Sequence, residues 1–309
     1  MEKEYFSKQT TNAVKGLFAL LVLIHHVFLN FFQDTNSLLL NYFFSSLGYL
    51  SVSVFFFISG YGIRISLKKE KKYLDHFLKN RVLNLYCVCL VFSIIYTIIK
   101  IVKCGISIDI ILNFFTLENI GYGWYFQTII LQYLFFYIVY KYLNNCYKLR
   151  YSCLIIFTLL YCAFCWYFKL GSWRYVSVFA MVFGMYWAEI KEKIIDRINI
   201  WWLISSVLFF TFVFVLRYFY NKASLSIFCS LLFAITFGIG LKYFSLNSAL
   251  LVNIGKISLE IYASQNIFIN LFLGYPMYYS VFVFVLTFLF SIAVHPLIVC
   301  FSRRIRKQR

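Results

Sequence analysis

About ten stretches, each close to the ~20 predominantly apolar residues that cross a bilayer as a helix, recur along this chain. They fall at roughly 13–32, 47–67, 83–102, 123–142, 151–168, 175–190, 200–218, 224–243, 249–273 and 277–301. The sixth is the shortest. The ninth is the most polar, carrying Asn253, Lys256, Ser258, Glu260, Gln265 and Asn266. Charged residues make up 13% of the chain, too few to clothe a soluble protein of 309 residues. Only helices and closed barrels satisfy their backbone in lipid, and the apolar runs lack the alternation of barrel strands. The pattern therefore predicts an all-α, polytopic membrane protein of about ten transmembrane helices. It reads as a single domain over residues 1–309, with no soluble extracytoplasmic domain. The first run is longer than a signal-peptide core and has no small-residue cleavage site after it, so it is read as a retained span.

A net charge of +18 could suggest nucleic acid, but the basic residues sit in short loops between spans, where topology requires them. Most of the 29 lysines and arginines fall on one side, with only Lys100, Lys103, Lys169, Arg174, Arg217 and Lys222 on the other. That imbalance predicts that both termini are cytoplasmic and that no nucleic acid is a partner. Arg64, at the end of the second span, is read as snorkelling to headgroups. The longest external segment, about 101–122, contains an apolar stretch at 110–117 that is read as lying on the membrane surface. Nine cysteines are scattered through apolar segments with no paired second cluster and no nearby histidine. They read as small lipid-embedded side chains, with no metal site.

Lys15 and His26 stand out within the first span. At about 100° and 1.5 Å per residue, His26 returns to within roughly 20° of the Lys15 face, about 16 Å further along. An imidazole at that depth, aligned with a cation at the rim, marks a functional candidate. His25 lies about 80° around the helix from His26 and reads as a packing or hydrogen-bonding neighbour.

Five segments, in order, carry a family resemblance. They are Lys15-Gly-x-x-Ala19-x-x-Val22-x-x-x-His26, Phe55-Phe56-x-x-Ser59-Gly60, Phe77-Leu-Lys-Asn-Arg81-Val-Leu, Gly123-Trp124-Tyr125-Phe126 and Gly255-Lys-Ile-Ser258-Leu-Glu-Ile-Tyr262. Together they resemble the acyltransferase-3 family, integral membrane O-acyltransferases of carbohydrates. Two departures stand out. Asn84 replaces a second arginine after Arg81, and Gln265 replaces a histidine after the late tyrosine, removing any acid–base role there.

The resemblance implies transfer of an acyl group, usually acetyl, from cytoplasmic acyl-CoA to a sugar hydroxyl. His26 would act as general base or, alternatively, as the acyl-carrying nucleophile. Lys15 and Arg81 would hold the phosphates of coenzyme A, and Ser59 and Gly60 would line the donor site. Gly60 admits close backbone approach by a pantetheine arm or by a partner helix. For Gly62 the reading is helix packing. Trp124 is read as an outer-interface belt residue or a stacking platform for a sugar ring. Glu260 either pairs with Lys256, four residues earlier, or orients and charges His26. His295-Pro296 marks a kink, with no chemistry assigned.

The implied acceptor is a surface polysaccharide or a lipid-linked sugar, and the implied setting is the cell membrane, multi-pass, of a bacterium. The spans would finish transfer alone or with a separate extracytoplasmic transferase. The competing reading is a transporter or flippase of a glycan-related solute, which could use the same intramembrane His26 and Glu260.

Overall fold

A computed structural model describes residues 6–33, 37–70, 72–143, 146–191 and 193–307. Of the basic residues counted on the cytoplasmic side, Lys3, Lys71 and Arg309 lie outside the described residues. The described chain is helical throughout. Seven helical segments among the described residues are long and apolar enough to cross a membrane: Lys8–Phe31, Leu38–Lys69, Tyr73–Cys104, Tyr147–Tyr167, Ile200–Tyr220, Ala223–Tyr243 and Met277–Arg306. This is an all-α, polytopic membrane protein. The other three expected spans correspond to a 19-residue helix at Trp124–Tyr142, a 12-residue helix at Phe179–Ile190 and a broken pair at Ala249–Lys256 and Ser258–Phe272.

The chain forms two compact units, one of Met1–His25, Ser37–Lys71 and Leu143–Lys256, the other of His26–Asn36, Lys72–Tyr142 and Ile257–Arg309. In the first, α1 (Lys8–Phe31) begins beside α2 (Leu38–Lys69), followed by α6 (Tyr147–Tyr167), α7 (Phe179–Ile190), α8 (Ile200–Tyr220), α9 (Ala223–Tyr243) and α10 (Ala249–Lys256). Glycines set the closest approaches. A Cβ on Gly60 would run into the Met181 carbonyl of α7, and one on Gly184 into the Phe57 carbonyl of α2. Gly16 lies in the same way against the Leu251 carbonyl of α10, and Gly255 against the Asn12 carbonyl of α1. The first and last of the five segments thus meet backbone to backbone within this unit.

Polar side chains in the first unit are answered locally. Arg64 does not snorkel: its Nε pairs with Glu189 on α7, where Lys68 Nζ also lies 3.3 Å from Glu189 Oε2. Arg217 donates to Ser226 Oγ at 2.7 Å and Ser46 Oγ at 3.1 Å, beneath the rings of Tyr42 and Tyr49. His25 has the bonding role expected of it, with Nδ1 2.8 Å from the Phe44 carbonyl and its ring against Gly48.

The second unit holds the end of α1 from His26, then a 3-10 turn (Tyr73–His76), a π-helical stretch (Leu78–Leu83), α3 (Asn84–Cys104), α4 (Ile108–Phe115), α5 (Trp124–Tyr142), α11 (Ser258–Phe272) and α12 (Ser280–Lys307). Its segment 105–123 corrects the sequence reading. Gly105, at φ +80°, closes α3 in a conformation glycine tolerates, and Ser107 caps α4 by accepting from Ile110 N–H. The chain then turns back along α3 instead of lying flat. Ser93 Oγ donates to the Phe114 carbonyl at 3.0 Å, about 16 Å back from the end of α3.

Asn119 locks this return: its Nδ2 donates to Thr97 Oγ1 and the Ile110 carbonyl, and its Oδ1 accepts from Lys100 Nζ. Irregular backbone at membrane depth survives only where protein buries it. Leu117, Asn119 and Ile120 are all buried.

Candidate active site

The returning segment delivers one aromatic ring to His26. The turn at 116–123 ends in Gly121-Tyr122-Gly123, and neither glycine has room for a Cβ. One at Gly121 would strike the Asn266 carboxamide, and one at Gly123 the Leu117 carbonyl. Tyr122 between them adopts φ +63°, a left-handed conformation that is strained for a residue with a side chain. Its ring lies flat on the imidazole of His26, centroids 3.6 Å apart and planes 15° apart.

His26 is itself buried near the end of α1. Asn30, one turn on, donates to the His26 carbonyl at 2.7 Å, and its side chain also bonds the Tyr122 phenol. The Tyr122 carbonyl accepts from Tyr262 OH of α11 at 3.3 Å, and the Tyr262 ring packs on Tyr125 and Phe126 at the start of α5. The imidazole therefore faces a stacked partner that is itself bonded from two helices, α1 and α11. Tyr122 was absent from the sequence reading. Its flanking glycines were the available signal.

Arg81 lies at another place in this unit. Phe77 is buried against Phe136 and Tyr133 of α5, which anchors the π-helical stretch and leaves Arg81 exposed. Its Nε donates to Tyr73 OH at 3.2 Å, with the Tyr133 phenol also nearby. Helical stretches of this widened type occur often at functional sites. At the position of the missing second arginine, Asn84 Oδ1 accepts from Ser302 Oγ at 2.7 Å, tying α3 to the basic end of α12. There Arg303 and Arg304 line an open groove of about 410 Å³ with Pro296, Val299 and Cys300.

Glu260 departs from both of its expected roles. The ninth span breaks at Ile257, so the four-residue spacing from Lys256 is not held on one helix. Lys256 Nζ instead bonds Asn253 Oδ1 at 2.9 Å. The Glu260 carboxylate, buried in the first turn of α11, lies 2.7 Å from Nδ1 of His295 on α12 and does not orient His26. Its assignment as a catalytic residue gives way to that pairing, and His295 gains a role the sequence reading denied it.

Gly60, expected to line the donor site, is instead covered by α7, while Gly62 faces open space, the reverse of the expected division. Ser59 and Lys15, both half-buried, lie in the first unit with Gly60. Trp124 starts α5 two residues after Tyr122, which ties it to the His26 neighbourhood.

A family model described as an acyltransferase domain matches residues 11–300, nearly the whole chain. No curated protein and no solved structure matches. Lying within the matched span, the stacked His26, the exposed Arg81 and the five ordered segments agree with it: this multi-pass membrane protein belongs to the acyltransferase-3 family.

Proposed function

We propose that the protein is an O-acetyltransferase, moving an acetyl group from cytoplasmic acetyl-CoA to a hydroxyl of a surface polysaccharide or lipid-linked sugar. The bacterial cytoplasmic membrane is its setting. The observation that carries this reading is the buried His26 imidazole, fixed face to face on Tyr122. An alcohol is a weak nucleophile at neutral pH, and a positioned imidazole removes its proton as it attacks. His26 takes the hydroxyl proton while the acceptor oxygen bonds to the thioester carbonyl carbon. Collapse of the tetrahedral intermediate breaks the C–S bond. The departing thiolate then takes the proton from the imidazolium, leaving free coenzyme A and a neutral His26.

Arg81 supports donor binding. A planar guanidinium beside two phenols suits a phosphate at the mouth of a site. Tyr133 near Arg81 and Tyr125 against Tyr262 are separated by about 12 Å along α5, a separation that an extended pantetheine arm would have to cover. The donor-binding role of Lys15 and the acceptor role of Trp124 rest on the sequence alone.

The test is transfer of label from [14C]acetyl-CoA to membrane glycans by purified protein. His26→Ala, with its thermal unfolding unchanged, is expected to lower transfer by about 100-fold or more. Undiminished glycan acetylation in that variant ends the proposal.

A further inference from the structure

Pro296, Val299, Cys300, Arg303 and Arg304 line the open groove of about 410 Å³ on α12. Counted from Pro296, the steps of three, four, seven and eight residues put all five on one helical face. The side chains that α12 buries are Ser280, Val283, Thr287, Ser291 and Ile298. At about 100° per residue, the two sets point in roughly opposite directions. Ser302, which reaches Asn84 of α3, points with the buried set. The groove therefore faces outward.

The same outward face continues along the helix as exposed Val281, Val285, Leu289 and Ile292. Val281 and Arg303 are separated by about 33 Å of helix, against a hydrocarbon core about 30 Å thick. Exposed Tyr275 and Tyr278 stand just before Val281, where an aromatic belt marks one interface. Arg303 and Arg304 then fall at the other interface, level with the headgroups. Among the described residues, no carboxylate forms an ion pair with either guanidinium.

An outward apolar row ending in two arginines matches a ligand with an acyl chain at one end and a phosphate at the other. A guanidinium meets two phosphate oxygens at once, and the groove offers two such groups. Pro296 and Val299 supply apolar contact on the hydrocarbon side. The coenzyme A phosphates do not fit here as well, because Arg81 and Asn84 are met from the buried side of α12, through Ser302.

We propose that this groove binds one anionic phospholipid of the leaflet at the basic end of α12. Its phosphate rests on Arg303 and Arg304, and an acyl chain runs along Val299, Pro296 and Ile292. Anionic headgroups are drawn to cations at that level of a membrane protein. The site is independent of the chemistry assigned to His26.

The test titrates the full chain in detergent with phosphatidylglycerol and, separately, with phosphatidylcholine, and counts bound lipid by native mass spectrometry. One phosphatidylglycerol is expected to bind about tenfold or more tightly than phosphatidylcholine. Arg303→Gln/Arg304→Gln is expected to weaken phosphatidylglycerol by about fivefold for each arginine removed. Arg306→Gln removes one charge from the same helix end but outside the groove, and is expected to change binding less than twofold. A second arm needs no variant: in nanodiscs, phosphatidylglycerol carrying a diazirine on its acyl chain is expected to cross-link wild-type protein within residues 292–300.

Equal affinity for the two lipids, an equal loss per charge in Arg306→Gln, or cross-links confined to other helices would each overturn the proposal. So would displacement of the bound phosphatidylglycerol by acetyl-CoA, which would give the groove to the donor instead.

Discussion

Glu260 Oε1 and His295 Nδ1 lie 2.7 Å apart, joining the first turn of α11 to α12 one residue before its internal proline. The carboxylate is buried, while the imidazole is about one-third exposed. Removing the imidazole strands a carboxylate in a place that cannot solvate it, and that is costly. His295→Leu is expected to lose about 1–3 kcal/mol of stability. The double variant Glu260→Leu/His295→Leu is expected to recover part of that loss. A double-mutant cycle from unfolding in detergent measures the coupling, and strictly additive losses would contradict the pairing.

Tyr122 combines a left-handed backbone with the stacking surface for His26, and these two features pull substitutions in opposite directions. Tyr122→Gly relieves strain of about 1–3 kcal/mol but removes the ring. It is expected to keep or raise the Tm while acetyl transfer falls by tenfold or more. Tyr122→Phe keeps the stack and loses only the bond to Asn30, so its loss is expected to be smaller. Equal activity in all three proteins would show that the stack does nothing.

Asn119 is expected to matter for a different reason. Its carboxamide makes three hydrogen bonds that hold the returning segment against α3. Asn119→Ala is expected to cost about 2–4 kcal/mol and to lower transfer through displacement of Tyr122. Hydrogen exchange over residues 105–123 should quicken selectively in this variant, and uniform quickening along the chain would contradict the local role.

Gly60 and Gly62 offer a matched pair on one helix. Gly60→Ala drives a methyl into the Met181 carbonyl and is expected to reduce yield and Tm sharply. Gly62→Ala meets nothing and is expected to stabilise α2 by up to about 1 kcal/mol. Thermal unfolding of the two variants side by side checks the assignment, and the reverse order would refute it.

Long apolar runs made the helical, membrane-spanning character readable, because lipid forces each crossing to look apolar over its whole length. The same uniformity hid the irregularities. Nothing apolar or polar around Ile257 distinguishes a broken span from a whole one, and the break shows only in the backbone. Hydropathy could not separate a helix lying on the membrane from one turning back into it. That choice is made by Asn119, whose partner Thr97 is 22 residues away. Gly60 and Gly62 look equivalent in sequence, and only the facing helix tells them apart. His26 was legible from its depth and its register with Lys15. The ring opposite it was not, since pairing across a fold leaves no spacing rule. Glycines on both sides of Tyr122 were the one local trace.

The phenol over the imidazole is carried by a turn between α4 and α5, not by any of the membrane-crossing helices. Loops accept insertions and deletions that helices do not. Lengthening or shortening this stretch would therefore change what stands over His26 while every crossing stayed intact. The surroundings of that imidazole can thus diverge quickly, with the scaffold that holds it left unaltered.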